Sequence, residues 1–518
     1  MTIHISKDGS IVGVPFTPAL KTLFPGANVL ANNGFNHILL PNHNDTVKLL
    51  RNMGVEVPAP ALSRYHFPHM PGKPPFEVQK KTVALLTMNQ RCYVLNGMGT
   101  GKTKAAIWAF DYLKQCKLAQ KMLVVAPLST LDFVWMKEVF ESCTNLKAVV
   151  LHGSKEKRLK RLAEDHDIYI INHDGVGVIF KELMVRQDID YLCIDEASKF
   201  RNSRSAKTKI LTKLAAKMTW AFGMTGSPTP KEPTDVYGQA RVITPDRVPP
   251  YFKRFRDALM LRVSTFKWVP RADSVEKAYA VLQPAVRYTL DDVVELPELI
   301  EREIEVELGP RQKNVYEKMV LHSRVIIANG DVTAVNAGAL INKLMQISTG
   351  YVYDSGRNVV TLDNDKRLDT MVDDIDACDE KVIVFVPYIH ALNGIMARLT
   401  KEGIDAVQVS GATPVNKRGQ IFNLFQNTTK YKVIVAHPDC MSHGLTLTAA
   451  TLIIWFSPVM SLETFDQANA RIRRVGQKKK QLIHLYWGTK IERKVIKMLR
   501  AKQAVQSKLL ELFEEGSE

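Results

Sequence analysis

The chain has 518 residues, 46% hydrophobic and 24% charged, a balance that excludes a disordered polymer or a fibrous repeat and allows two to four domains. No uncharged apolar run reaches the ~18 residues of a membrane span, and the N-terminus lacks a charged stretch followed by an apolar one, so a protein neither secreted nor membrane-embedded is expected. Lysine and arginine outnumber the acids 70 to 53, and the net charge of +17 points to a polyanionic partner.

Residues 1–70 alternate short apolar runs, Ile11-Val12-Gly13-Val14 and His37-Ile38-Leu39-Leu40, with proline, glycine and asparagine, and predict a small accessory α/β module. Val57-Pro58-Ala59-Pro60 and the prolines between Pro68 and Pro75 read as a linker. Over 71–245 the apolar runs are Cys92-Tyr93-Val94-Leu95, Met122-Leu123-Val124-Val125, Ala148-Val149-Val150-Leu151, Ile168-Tyr169-Ile170-Ile171 and Tyr191-Leu192-Cys193-Ile194. Such runs, separated by amphipathic stretches, predict strands buried on both faces of a parallel, doubly wound sheet. Residues 246–365, basic at Lys253-Arg254-Phe255-Arg256, read as a helix-rich linker or brace, although Glu301 to Leu308 alternates charged and apolar residues as a strand does. A second sheet is expected over 366–505, from the runs at 381–386, Ala406-Val407-Gln408-Val409, Val433-Ile434-Val435 and Leu452-Ile453-Ile454-Trp455. The tail 506–518, with Glu511, Glu514, Glu515 and Glu518, reads as a solvated acidic end. Cys92, Cys116, Cys143, Cys193, Cys378 and Cys440 form no C-x-x-C pair, so neither a disulfide framework nor a zinc site is expected, and a reducing cytosol is the natural compartment.

The first strand of the 71–245 region runs into Asn96-Gly97-Met98-Gly99-Thr100-Gly101-Lys102-Thr103 and then a helix. Glycines let backbone N–H groups converge on phosphate oxygens, and a helix N-terminus adds a positive dipole end. In this pattern Lys102 reaches the β- and γ-phosphates and Thr103 holds Mg²⁺; the general motif has glycine where Asn96 stands. A later strand ends in Asp195-Glu196-Ala197-Ser198, which suits a Mg²⁺ ligand at Asp195 beside a water-activating Glu196. Alone, such a pair is more often a helix cap and a first-turn acid. Lys155, Lys157, Arg158, Lys160 and Arg161 form a basic helix that is either a phosphate-contacting surface or a solvated face. His173, His437 and His443 lack metal-ligand spacing and read as structural, and Lys478-Lys479-Lys480 either touches DNA or ends a helix.

Taken together these segments resemble helicase superfamily two, and within it the Swi/Snf-type DNA translocases. The family's D-E-M-G-x-G-K-T is matched at Met98, Gly99, Gly101, Lys102 and Thr103, and its D-E-A-H-x-x-K-N at Asp195, Glu196, Ala197 and Asn202, with Ser198 for histidine and Arg201 for lysine. Met224-Thr225-Gly226-Ser227-Pro228 resembles L-T-G-T-P, Ala126-Pro127-Leu128-Ser129 with Trp135 and Glu138 resembles the first DNA-backbone motif, and Gln79 stands at the adenine-reading glutamine. Further on, Gly411, Arg418 and Phe425 resemble the stretch after the fourth motif. Gly444-Leu445-Thr446-Leu447-Thr448-Ala449-Ala450 resembles G-L-N-L-T-A-A, with Met441-Ser442 in place of a glycine pair. Gln467, Arg471, Arg474, Gly476 and Gln477 match Q-x-x-x-R-x-x-R-x-G-Q in full. On a helix, positions 467, 471 and 474 share a face, the alternative being an arginine-rich exposed helix.

The resemblance covers about 76–500 and implies two RecA-like domains, with ATP at their interface and nucleic acid, duplex DNA foremost, across the same face. It implies that Gln79, Met98, Gly99, Thr100, Gly101, Lys102 and Thr103 bind nucleotide, that Thr103 and Asp195 hold Mg²⁺, and that Glu196, Gln467, Arg471 and Arg474 complete catalysis, Arg474 as an arginine finger. The rival readings are a strand-separating DNA or RNA helicase and a nucleotide-dependent clamp without turnover. Residues 1–70 are loosely similar to the N-terminal modules of annealing-type relatives.

Overall fold

The computed structural model describes all residues except 1–2, 33–34, 265–266, 329–333, 355, 357, 442–445 and 516–518, and no side chains at 32, 35, 323–328, 334–337, 415–416 and 511–515. The chain divides into two units, residues 1–293 with 508–518, and residues 294–507.

The first unit opens with an antiparallel sheet of β1 (His4–Ile5), β2 (Ile11–Pro15), β3 (Val29–Asn32) and β4 (Phe35–Pro41), in the order β1-β2-β4-β3. Alternation on β2 and β4 turns Val12, Val14, Ile38 and Leu40 inward, where they meet Val47 and Leu50 of the helix Asn44–Asn52. This is the expected accessory α/β module.

Next come β5 (Arg91–Val94), β6 (Lys121–Ala126), β7 (Ala148–Leu151), β8 (Ile168–Asn172), β9 (Ile189–Asp195) and β10 (Trp220–Met224), then the small ribbon of β11 (Met260–Arg262) and β12 (Trp268–Pro270), and β13 (Ala285–Val286). The main sheet is parallel with the order β13-β5-β10-β9-β6-β8-β7. Its strands are apolar on both faces because separate cores lie on either side, one with Leu123, Leu192 and Phe200, the other with Val94, Trp108 and Trp135. Since β5, β10 and β9 are neighbours, the loops at their C-terminal ends lie side by side.

The proline-flanked segment before residue 70 belongs to this second core. Tyr65 and Phe67 are buried in it, Tyr65 Oη donates to Asp111 Oδ2 at 2.6 Å, and Trp108 Nε1 donates to the Pro68 carbonyl at 2.8 Å. Gln115 and Asn145 side-chain amides complete the shell of Asp111 at 2.8 and 2.9 Å.

The second unit carries β14 (Leu299–Glu305), the ribbon of β15 (Tyr351–Tyr353) and β16 (Val359–Thr361), then β17 (Lys381–Phe385), β18 (Ala406–Val409), β19 (Val433–Ala436), β20 (Ala450–Trp455) and β21 (Gln481–Trp487). Its six-stranded parallel sheet has the order β14-β21-β20-β17-β19-β18. Arg367 and Glu492 form a buried two-pronged ion pair at 2.8 and 2.9 Å, with the Phe456 carbonyl and the Gly488 N–H as further partners.

Two doubly wound parallel sheets are therefore present, as expected. The stretch 246–365 differs from a separate linker: β13 adds an edge strand to the first sheet and β14 to the second. Two residues are too few to register as a strand period, and the alternation of β14 identifies a strand without identifying its sheet. The six cysteines are free, and no helix among the described residues is long and apolar enough to cross a membrane.

Candidate functional site

β5 ends at Val94, and the helix Lys102–Gln115 begins eight residues later, with no acidic residue in its first turn to compete with an anion. Gly99 and Gly101 take φ of +85° and +81°, and a Cβ at position 101 would lie 1.9 Å from Gln79 Nε2, so only glycine fits there. Asn96, where the general motif has glycine, is a buried peg. Its Nδ2 donates to Thr82 Oγ1 and its Oδ1 accepts from Tyr288 N, both at 3.0 Å, tying the loop to the helix Glu77–Met88 and to the chain after β13. Lys102 Nζ lies over the loop, donating to the carbonyls of Asn96 and Gly97 at 2.8 and 2.9 Å. Gln79 abuts the same loop: its Nε2 donates to the Thr100 carbonyl at 3.3 Å, while its Oε1 accepts from Phe76 N and closes its own helix N-terminus.

Two strands away, Asp195 ends β9. Its Oδ2 accepts from Trp135 Nε1 and its Oδ1 from Glu196 N, each at 3.1 Å. Burial pushes the Asp195 carboxyl up, opposed by the Trp135 hydrogen bond and by the charge of Lys102, so the loop lysine and this acid share one electrostatic site. Glu196 follows in a left-handed conformation, φ +52°, unusual for a side chain of its size. The carbonyl of Asp195 accepts from His173 Nε2 at 2.8 Å; burial pushes that imidazole down to about 4, and Phe200 packs edge-on against it at 5.1 Å. Between β9 and β5, Thr225 N donates to the Val94 carbonyl and Thr225 Oγ1 accepts from Ser227 N, which stitches the loop after β10 to the phosphate-loop strand. The left-handed glycines, the acid-free helix start and the desolvated carboxylate suit a phosphate chain with its cation.

Several sequence expectations take a different form. Trp135, read with the DNA-backbone motif, is fully buried and serves Asp195, while Glu138 pairs with Lys104 at 3.3 Å. In the basic helix Lys155–Ala163, buried Arg158 turns inward to the carbonyls of Leu151 and Gly153, so the phosphate-contacting reading fails for it, while Arg161 bonds the Val150 carbonyl and half-exposed Lys155 pairs with Glu182. Lys479 pairs with Glu380, and Lys480 with Glu298 at 3.1 Å, where the chain enters β21.

In the second unit, the helix Leu462–Asn469 carries buried Gln467 but ends before the arginines. Arg471 and Arg474 therefore do not share a helical face with Gln467; they lie in the following turns. The helix ends at Asn469, whose Oδ1 accepts from Trp455 Nε1 at 2.9 Å, and the turns that follow run to Gly476, which takes φ +98°. Each arginine instead bonds a carbonyl four residues back, Arg471 Nε to Gln467 at 2.8 Å and Arg474 Nε to Ala470 at 3.1 Å. Arg471 is 2% exposed, and loss of solvent around Arg474 pushes its guanidinium down to about 10. Gln477 is the staple of these turns: its Nε2 donates to the carbonyls of Thr448, Ala450 and Ile472, all at 3.2 Å. Arg418 braces its own loop at Ser410, Gly411 and Thr413, and Phe425 is core. Ser442, His443, Gly444, Leu445 and Glu518 lie outside the described residues, as do the side chains of Glu511, Glu514 and Glu515.

The model of the SNF2-related domain matches residues 78–351, and that of the helicase conserved C-terminal domain matches 365–476. An uncharacterized ATP-dependent helicase of Mycoplasma genitalium is 26% identical over 421 residues, covering 80% of this chain and 40% of that protein. A putative protein p41 of Acyrthosiphon pisum secondary endosymbiont phage 1 is 25% identical over 458 residues, covering 82% of this chain and 95% of that one. The chain thus spans well under half of the mycoplasma relative and nearly all of the phage one. Among solved structures, the Sulfolobus solfataricus SWI2/SNF2 ATPase core in complex with dsDNA is 22% identical, covering 86% of this chain and 96% of that one, with a TM-score of 0.41.

Proposed function

Because the chain belongs to the SNF2-related family, we propose that it is an ATP-hydrolysing motor that translocates on or remodels duplex DNA. The observation that carries this reading is the grouping, on the adjacent strands β5, β10 and β9, of an anion loop with Lys102, a stitched coupling loop at Thr225, and Asp195 leading into Glu196. A structural strand-to-helix turn needs no carboxylate under the influence of its lysine; a nucleotide site does.

In this reading the loop amides and Lys102 neutralise phosphate charge, and the amide of Gln79 lies close enough to the loop to sense the base. Thr103 and Asp195 would hold Mg²⁺, which when bound supplies charge neutralisation at the phosphates. Glu196 orients the attacking water and accepts its proton. Arg471 and Arg474 of the second unit bring positive charge to the phosphate being transferred, and Gln467 holds Arg471 through its carbonyl. The net charge of +17 supplies sequence-independent attraction to the DNA backbone.

Steady-state phosphate release with duplex DNA, single-stranded DNA and RNA, together with triplex displacement and fork unwinding, tests the assignment. Duplex should stimulate most, with triplex displaced, forks left joined, and stimulation falling steeply with salt. Robust fork unwinding without triplex displacement, or stimulation by RNA alone, would overturn translocation on duplex.

A further inference from the structure

At the N-terminal end of β5, across the sheet from the phosphate loop, the first unit contains a cavity of about 810 Å³ that no motif touches. Four cations from separate parts of the chain line it: Lys48 of the accessory helix Asn44–Asn52, Arg91 at the start of β5, and Arg241 and Arg247 around the end of the helix Val236–Ile243. Asp246 is the one acid in the lining. Arg91 is committed to the carbonyls of Ala215 and Met218 at 2.8 and 2.7 Å, and Arg247 reaches the Ala280 carbonyl at 3.1 Å. Lys48 and Arg241 are half-buried, and neither has a hydrogen-bond or ion-pair partner among the described residues.

Like charges gathered in a partly desolvated concavity repel one another, and an anion entering among cations drawn from three distant segments relieves that repulsion. One exposed aspartate does not balance four cations. Asn89, Gln90, Thr212 and Gln283 add neutral side chains able to donate hydrogen bonds to oxygens. The volume falls in the upper part of the range of small-ligand clefts, several times that of a single phosphate. A planar guanidinium beside a lysine amine is the usual pairing for phosphate oxygens.

We infer that this cavity binds a phosphate-bearing anion, at a site separate from the phosphate loop and drawn jointly from the accessory module and the motor lobe. The phosphate can belong to a free oligophosphate or to a nucleic-acid backbone, and the two sources separate in the test. With the full chain carrying Lys102→Ala, which disables the phosphate loop, calorimetric titration with inorganic pyrophosphate should reveal one site. Adding Lys48→Gln and Arg241→Gln should weaken it at least tenfold without lowering the melting temperature, and Arg241→Lys should restore most of the loss. Binding of a 20-base-pair duplex, measured across a salt series in the same variants, is the second arm. If the double substitution lowers the salt slope by about two, the backbone is the occupant. If pyrophosphate binding is lost and the slope is unchanged, a free phosphoanion is. Should the double variant lose thermal stability, Lys48→Gln alone, on the accessory helix, carries the comparison. Pyrophosphate binding absent or indifferent to these substitutions, with duplex binding equally indifferent, would overturn the assignment.

Discussion

Replacing Trp135 by phenylalanine isolates the support of the candidate metal carboxylate from the carboxylate itself. The indole N–H donates to Asp195 Oδ2 at 3.1 Å from a fully buried ring, and the remaining hydrogen bond to this side chain, from Glu196 N to Oδ1 at 3.1 Å, survives the change. A hydrogen bond to a charged acceptor contributes about 1.5–3 kcal/mol, equivalent to roughly a 10- to 150-fold change in an equilibrium constant. Loss of a group that orients a metal ligand costs on the order of 10- to 100-fold in metal affinity or activity, so the two estimates overlap. The magnesium concentration for half-maximal duplex-stimulated phosphate release should therefore rise by at least about tenfold. The smaller ring also leaves a void, expected to lower stability by about 1–2 kcal/mol, which urea unfolding measures separately. A stably folded Trp135→Phe chain with unchanged magnesium dependence would refute the argument and reduce Trp135 to a core filler.

Lys102→Ala should abolish turnover and weaken nucleotide binding, whereas Glu196→Gln should keep binding and lose turnover; nucleotide-binding fluorescence beside phosphate release separates the two. Arg474→Ala should leave nucleotide affinity within several-fold and cut turnover by about a thousandfold, the range of arginine fingers, as single-turnover kinetics would reveal. Arg367→Met should destabilise the second unit by about 3–5 kcal/mol, because Glu492 is left as an uncompensated buried charge, and urea unfolding should show it. Asp466 is pushed up to about 7, chiefly by burial, so the folded chain holds a proton that the unfolded chain releases near pH 4. Its stability contribution is therefore present at low pH and lost as pH rises from about 4 to 7. Asp466→Asn, which keeps an acceptor for Gln503, should raise the melting temperature at pH 8 and leave it nearly unchanged at pH 4.

Strands such as β6, β9 and β17 were legible because a fully buried strand must be a continuous apolar run, and the glycine-rich loop after β5 because left-handed turns favour glycine. Sheet membership was not: β14 reads as a strand by its alternation, but its pairing with β21 joins residues about 180 positions apart. The spacing of Gln467, Arg471 and Arg474 fits a helix, yet the helix ends at Asn469, and neither the Trp455 hydrogen bond to that side chain nor the turn at Gly476 is contained in a spacing rule. Trp135 and His173 escaped for a related reason. Their targets are Asp195 atoms reached only through the neighbouring strands, and nothing local marks an indole or an imidazole as a partner of a distant acid. Arg158 shows the reverse error, since a basic run on a helix says nothing about which cation turns inward to strand-end carbonyls.

The anchoring of Tyr65, Phe67 and Pro68 onto the helix that begins with Lys102 bears on where this chain can be divided. A chain begun at residue 71 would strip Asp111 of its shortest hydrogen bond and leave the Trp108 N–H without its acceptor, both on the helix that follows the glycine-rich loop. The smallest autonomously folding first unit should therefore start before Ala61, ahead of every recognisable motif. A stretch with no chemistry of its own then sets how firmly Lys102 is held, and insertions or partner domains should be tolerated upstream of it but not within it.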